Sequence, residues 1–263
     1  MEFLRRLRVR ARRIARSRRW LYTVVRTLKY GPFVGFRWQS RPQRELVNTG
    51  GQEKWRMLNL GSGGRRLPGV INLDVTPVTG PHVVGDGYAL PFPDGTFDVI
   101  FCDYVIEHVP DPESFLRAAG CALKPDGRFY LEVPFLQPGH DFPGDYTRWT
   151  RNGFRRGMER AGLQMVESGV HLGPAYTLFW ITKDLVAALA SLGFDPVCRI
   201  LRYLLAWLLS PLPFLDLVLL RLPQAEVLAN GYYFVAVRKK GAGVPGGEPP
   251  VRTYHETGHA ALV

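Results

Sequence analysis

From Trp55 to Val170 the sequence sets five short runs, RMLNL, VINLD, HVVGD, FDVIFC and GRFYLEV, among turns and longer helical stretches. Each run is branched or aromatic, nearly continuous in its apolarity, and bounded by Gly, Pro or Asp. Such runs suit parallel strands covered on both faces, because a half-solvated strand would alternate polar and apolar residues. DPESFLRAAGCAL and TRNGFRRGMERAG read as helices between or after them. Short strands alternating with helices predict an α/β chain built on a doubly wound, mostly parallel sheet. GYYFVAVRKK, residues 231–240, reads as a last strand after a long helical interruption.

The densest chemistry lies in LNLGSGGRRLPGVINLDV, Leu58 to Val75. One strand runs into Gly61-Ser62-Gly63-Gly64, and the next ends in Asp74. Glycines there let a ligand approach the backbone and permit positive φ, and a carboxylate at the tip of the next strand can accept two hydrogen bonds from a ribose diol. An ordinary glycine turn between strands is the alternative. The dinucleotide fingerprint G-x-G-x-x-G fails, because its third glycine would fall at Arg66 and the acid arrives 13 residues after Gly61 instead of about 20. A ligand with a ribose and no phosphates does not need that third glycine.

The stretch from Gly85 to Pro134, GDGYALPFPDGTFDVIFCDYVIEHVPDPESFLRAAGCALKPDGRFYLEVP, resembles class I S-adenosylmethionine-dependent methyltransferases of the type that acts on small molecules, lipids and glycans. The resemblance covers residues 56–170 and the final strand at 231–238, and implies a Rossmann-like, seven-stranded, mostly parallel sheet. It implies that Gly61, Ser62 and Gly63 line the methionine and ribose of S-adenosylmethionine. Asp74, with Val75 beside it, would hold the ribose hydroxyls, Asp86 and Gly87 would meet the adenine, and Asp103 and Tyr104 would lie beside the sulfonium. Two departures stand out. Pro68 leaves little room for a first helix between Gly63 and Gly69, and Asn59 stands where an acid is common.

For a hydroxyl acceptor a base is needed, and His108 in IEHVPD is the candidate, on histidine's near-neutral pKa; positioning is its alternative role. PGHDFPGDYTRWT supplies His140, Asp141, Asp145, Tyr146 and Arg148, which the resemblance puts near the acceptor. An Arg among acids and aromatics suits a sugar or a carboxylate; a hydrogen-bonded loop leading to a helix N-cap at Thr150 is the alternative. His82, His108, His140 and His171 lack ligand spacing, so no metal is expected.

The net charge of +11 sits at one end. Residues 1–41 hold thirteen Lys/Arg and one acid, leaving a nearly neutral body of 21 bases and 22 acids. Within this arm Leu4, Leu7, Ala11, Ile14, Leu21, Val25 and Leu28 follow helical spacing. The readings are an interfacial helix on anionic lipid, a helix packed on its own domain, and an RNA-binding arm; the apolar seam favours lipid. No secretory signal is read, because no sufficiently long apolar core appears before the charges resume.

Residues 174–225 form a leucine-rich insertion. Between Arg202 and Arg221 lie 18 residues interrupted by Pro211, Pro213 and Asp216, so short helices capping the domain or dipping into a leaflet are expected in place of a straight span. Three widely spaced cysteines argue for a reducing compartment. The expected organisation is an arm at 1–41, a methyltransferase domain at 42–240 and a disordered tail at 241–263.

The tail contains His255-Glu256-Thr257-Gly258-His259, which resembles the zinc helix of membrane-anchored ATP-dependent zinc proteases over about ten residues. Two ligands after a Gly/Pro-rich lead make no catalytic site, so a chance match is expected. The expected function is methyl transfer to a lipid-linked, glycan or lipid-like small-molecule acceptor at the cytoplasmic face of a membrane. The alternatives are an RNA methyltransferase and a non-catalytic membrane-associated binding protein of the same fold.

Overall fold

The computed structural model describes residue 27 and residues 39–65, 67–77, 80–140 and 144–239. Nearly all of the basic arm, Asp141 and the HETGH tail lie outside the described residues.

Seven strands, β1 (Met57–Leu60), β2 (Ile71–Asp74), β3 (Val83–Val84), β4 (Phe97–Asp103), β5 (Leu123–Pro134), β6 (Leu163–Leu172) and β7 (Gly231–Arg238), form one sheet in the order β3-β2-β1-β4-β5-β7-β6. β1 to β5 pair in parallel, while β7 enters antiparallel between β5 and β6. The expected α/β, mostly parallel sheet is therefore present, with one antiparallel hairpin. Strand order reverses between β1 and β4, and the crevice outside the carboxyl ends of strands at such a reversal is where open α/β sheets take ligands.

Alternation along β4 explains why its run reads as continuously apolar. Ile100 and Cys102 join one core with Phe115, Leu116 and Ala119 of helix α2 (Pro112–Ala122) and Phe154 and Met158 of helix α3 (Arg151–Arg160). Val99 and Phe101 point the other way, into a second core against which Leu46 and Val47 of helix α1 (Arg41–Gln52) pack. Both faces are covered, so neither set of residues needs to be polar. Each fully buried Val, Ile, Leu, Phe or Met among them contributes about 1.5–3 kcal/mol. The helix starts are legible locally: Ser40, Asp111 and Thr150 each accept a backbone N–H of the first turn through the side chain.

Among the described residues no helix joins β1 to β2, in keeping with Pro68. Two buried asparagines hold the short connection instead. Asn59 Nδ2 donates to Arg65 O at 2.9 Å and to Asn72 Oδ1 at 2.8 Å, and Asn72 Oδ1 also accepts from Leu67 N at 3.2 Å. Asn59, the departure noted above, is thus a clasp for a loop that lacks its helix.

The leucine-rich insertion is a pair of helices, α4 (Pro174–Ser191) and α5 (Asp195–Leu208), followed by short turns and α6 (Asp216–Leu219). Between Arg202 and Arg221 the chain is broken into the end of α5, a short turn and α6, with no single straight helix, as expected; α4 lies before that stretch and runs unbroken over 18 residues. Asp216, one of the residues that interrupts the apolar run, caps α4: its carboxylate accepts from the backbone N–H of Gly173, Ala175 and Tyr176 at 3.1, 2.9 and 3.1 Å. Burial raises its pKa against the pull of those three donors. Asp216→Ala leaves three buried donors without an acceptor and is expected to cost roughly 3 kcal/mol. In a domain of this size that lowers Tm by about 6–12 °C; an unchanged thermal melt would show that the cap is dispensable.

Candidate cofactor and acceptor site

Gly61 follows β1 with φ +70°, and a Cβ there would lie 2.5 Å from Cγ2 of Val105, just beyond β4. The β1 and β4 exits therefore abut closely, and only glycine satisfies both the contact and the backbone. Gly63, at φ +49°, is different: its missing side chain would meet open space. Its N–H donates to Asp74 Oδ2 at 2.6 Å, and Thr76 N–H donates to Asp74 Oδ1 at 2.9 Å. Each oxygen of Asp74 retains a lone pair, so the carboxylate can still accept a diol. Ser62 is buried, and its Oγ has no hydrogen-bond partner among the described residues. An open glycine backbone, an unspent hydroxyl and a fixed carboxylate fit S-adenosylmethionine, with Gly61, Ser62, Gly63 and Asp74 as the residues that would hold it.

Val75, next to Asp74, is highly exposed, and Asp86 is exposed at the exit of β3, where its Oδ1 accepts from Tyr88 N–H at 2.9 Å. Gly87 packs so closely on the Phe115 ring that a Cβ would collide with it. Its glycine is required by packing, whatever else lies near it.

Asp103 and Tyr104 end β4. Asp103 is buried and accepts from Gln43 Nε2 at 2.8 Å and from Arg65 Nη1, while Arg65 Nη2 donates to Gln43 Oε1 at 3.1 Å. This clasp ties the glycine loop to β4 and α1. Gln43 and Arg65 escaped sequence reasoning because each acts through a partner far along the chain. Tyr104 holds φ +54°, unusual for a tyrosine and characteristic of functional turns. Its ring lies 6.0 Å from His171, which is buried with Nε2 3.4 Å from Glu132 Oε2. Asn230, at the entrance to β7, is fully buried with both side-chain polar atoms unpartnered among the described residues. Its position inside a polar-poor run is the only sequence signal it carries.

His108 occupies a short turn, Ile106–His108, beyond β4. Its Nδ1 donates to the carbonyl of Gly144, and its Nε2 lies 3.8 Å from Glu107 Oε1. His140, in the loop after β5, stands edge-on to it with ring centroids 5.0 Å apart. Burial lowers the pKa of His140, and the Asp145 carboxylate opposes that shift. Linear spacing gave no ligand set, yet the fold brings Glu107, His108 and His140 together, with donor atoms all within 4.8 Å.

Arg148 is spent within its own loop. It forks onto both oxygens of Asp145 and reaches the carbonyls of Gln137 and Thr147 at 3.0 and 2.9 Å. The Arg148 fork lowers the pKa of Asp145 to about 2, and Asp145 Oδ2 also accepts from His140 N–H at 2.8 Å. Asp145 and Arg148 therefore shape the loop and present His140, while Tyr146 is exposed at its tip.

Comparison with known proteins agrees with this arrangement. The family described as "Methyltransferase domain" matches residues 70–131. The chain is 29% identical over 116 residues to the ubiquinone biosynthesis O-methyltransferase of Methylococcus capsulatus, covering 35% of this chain and 46% of that protein. It is 34% identical over 85 residues to the ubiquinone/menaquinone biosynthesis C-methyltransferase UbiE of a Shewanella species, covering 32% and 31%. To the uncharacterized methyltransferase YcgJ of Bacillus subtilis it is 45% identical over 47 residues, covering 18% and 19%. The chain thus spans less than half the length of these relatives. On this match residues 70–131 carry a methyltransferase domain, and the geometry of the glycine loop agrees with the class I S-adenosylmethionine-dependent methyltransferases that the sequence resembles.

Proposed function

We propose that this chain transfers a methyl group from S-adenosylmethionine to a lipid-linked, glycan or lipid-like small-molecule acceptor at the cytoplasmic face of a membrane. The observation that carries the membrane half is the outer face of α5. Ile200, Leu204, Trp207 and Leu208 recur on it at helical spacing, and Leu204 and Leu208 are 61% and 74% exposed. Leu189, Leu192, Leu215 and Val218 on neighbouring elements are exposed as well. Apolar surface on this scale marks a contact face, and the exposed Arg199 and Arg202 on the same helix suit anionic lipid.

Among the described residues no single helix is long and apolar enough to cross a membrane; Asp195–Leu208 and Leu212–Leu219 reach that composition only as a pair bent by 40°. Lying on the surface agrees with that bend. Two relatives are named for ubiquinone or menaquinone biosynthesis, which supports a lipid-like acceptor.

When bound, the cofactor supplies a methyl group on an already activated sulfonium, so holding an acceptor in line at about 3 Å accounts for most of the acceleration. The chain's own task is positioning. Asp74 and the glycine loop orient the cofactor, and the Arg65–Asp103–Gln43 clasp keeps that loop against β4. His108 and the loop after β5 face the acceptor, where His108 Nε2 is available to take a hydroxyl proton.

The test is to incubate the protein with methyl-labelled cofactor and separated lipid, glycan and RNA fractions of cells. Label is expected in lipid or glycan. Label in RNA alone would favour a phosphate-binding role for the arm, and cofactor binding with no label anywhere would mark a non-catalytic protein of this fold.

A further inference from the structure

We infer that Glu107, His108 and His140 form a binding site for one divalent cation on the acceptor side of the sheet edge. The three come from two loops. Glu107 and His108 lie in the turn after β4, and His140 lies in the loop after β5; one ligand atom from each falls within 4.8 Å of the other two. Parallel neighbours such as β4 and β5 end at the same edge, so residues 32 and 33 apart in sequence become adjacent.

The outer contacts fix both imidazoles as ligands. His108 Nδ1 faces a carbonyl oxygen, that of Gly144, so it carries the proton and Nε2 carries the lone pair, 3.8 Å from Glu107 Oε1. His140 Nδ1 lies 3.5 Å from Pro138 O and 3.6 Å from Asp145 Oδ2, both acceptors, which reserves Nε2 for an ion. A carboxylate or carbonyl behind a histidine is the usual means of orienting a metal ligand. Asp145 is itself held by Arg148 and binds the backbone N–H of His140 at 2.8 Å, so this ligand sits on a braced loop. Glu107 is fully buried, and its negative charge acts on an ion there with little screening by water.

A cation about 2.1 Å from each ligand needs donor atoms roughly 3.3 Å apart. The ligand atoms lie within 4.8 Å of one another here, and binding would draw them together to that spacing. Two imidazoles and one carboxylate suit zinc, manganese or another first-row divalent ion and leave at least one position open. An acceptor hydroxyl in that position would be acidified by the ion and lose its proton to solvent. This consequence rests on the proposed methyl transfer and selects an oxygen acceptor; ion binding itself does not depend on it. Occupancy commits His108 Nε2 to ligation and moves the acidifying role from the imidazole to the ion.

The test uses the full chain carrying His255→Ala and His259→Ala, which removes the histidine pair of the tail. Co²⁺ is titrated by visible absorption and Zn²⁺ by calorimetry, without cofactor or acceptor. One equivalent is expected to bind, and His140→Ala is expected to weaken it at least about 100-fold, with S-adenosylmethionine affinity unchanged. Glu107→Gln should weaken it as well; because Glu107 is buried, its thermal melt is recorded alongside, and the half-exposed His140 keeps the test decisive if that variant misfolds. No stoichiometric binding, or binding indifferent to His140→Ala, overturns the site. Stoichiometric binding with no methyl transfer to any fraction would leave the site standing and remove the enzymatic reading.

Discussion

Asp74→Ala is expected to abolish measurable S-adenosylmethionine binding. The carboxylate is buried at the tip of β2 and is held by Gly63 N–H at 2.6 Å and Thr76 N–H at 2.9 Å, so its direction is set before any ligand arrives. A bound ribose diol adds two hydrogen bonds to a charged acceptor, each contributing about 1.5–3 kcal/mol. Alanine removes both and also frees Gly63, whose positive-φ backbone forms the open side of the cradle. The combined loss is about 3–6 kcal/mol, a factor of at least 100 in affinity. Isothermal calorimetry reads it directly. Asp74→Asn, which keeps an oxygen for Gly63 but loses the charge, is expected to fall between the two. Undiminished binding by the alanine variant would remove the cofactor assignment from this edge of the sheet.

The second large effect concerns the membrane. In a Leu204→Asp, Leu208→Asp double variant, two carboxylates replace exposed leucines one turn apart on α5. Moving each leucine into lipid contributes about 1.5–3 kcal/mol, so losing both weakens association by at least about 100-fold even before the charges repel anionic headgroups. The expected result is sedimentation of the wild-type chain with vesicles of mixed neutral and anionic lipid and recovery of the variant in the supernatant. S-adenosylmethionine binding should be retained, because neither leucine belongs to the glycine loop or its clasp. Equal sedimentation of the two would show that the α5 face is not what meets lipid.

The two predictions rest on features with unequal legibility. Asp74 could be read from the chain because a glycine turn followed by a strand-terminal acid is a local pattern, complete within 18 residues. The α5 face could be read only as leucine enrichment. Core helices and surface helices share that composition, and only packing shows which leucines remain uncovered. The same holds for Asp216, a breaker in the sequence and the cap of α4 in the fold. Arg148, an acceptor candidate by composition, is consumed by Asp145 and three carbonyls of its own loop. α1 and β6 escaped notice because their residues show neither a clean helical stripe nor a compact apolar run; β6 is paired on one side only, by β7.

Short-range physics therefore determined, from the sequence alone, the strands of the parallel core, the glycine turn, the carboxylate at the tip of β2 and the absence of room for a first helix. Each depends on backbone sterics or burial within a few residues. What the tertiary structure decided is every pairing between distant segments: Arg65 with Asp103 and Gln43, Asn59 with Asn72, His171 with Glu132, and Glu107 and His108 with His140. Parallel strands deliver their carboxyl-end loops to one edge however far apart they lie in the chain, and linear spacing carries no record of which loops become neighbours there.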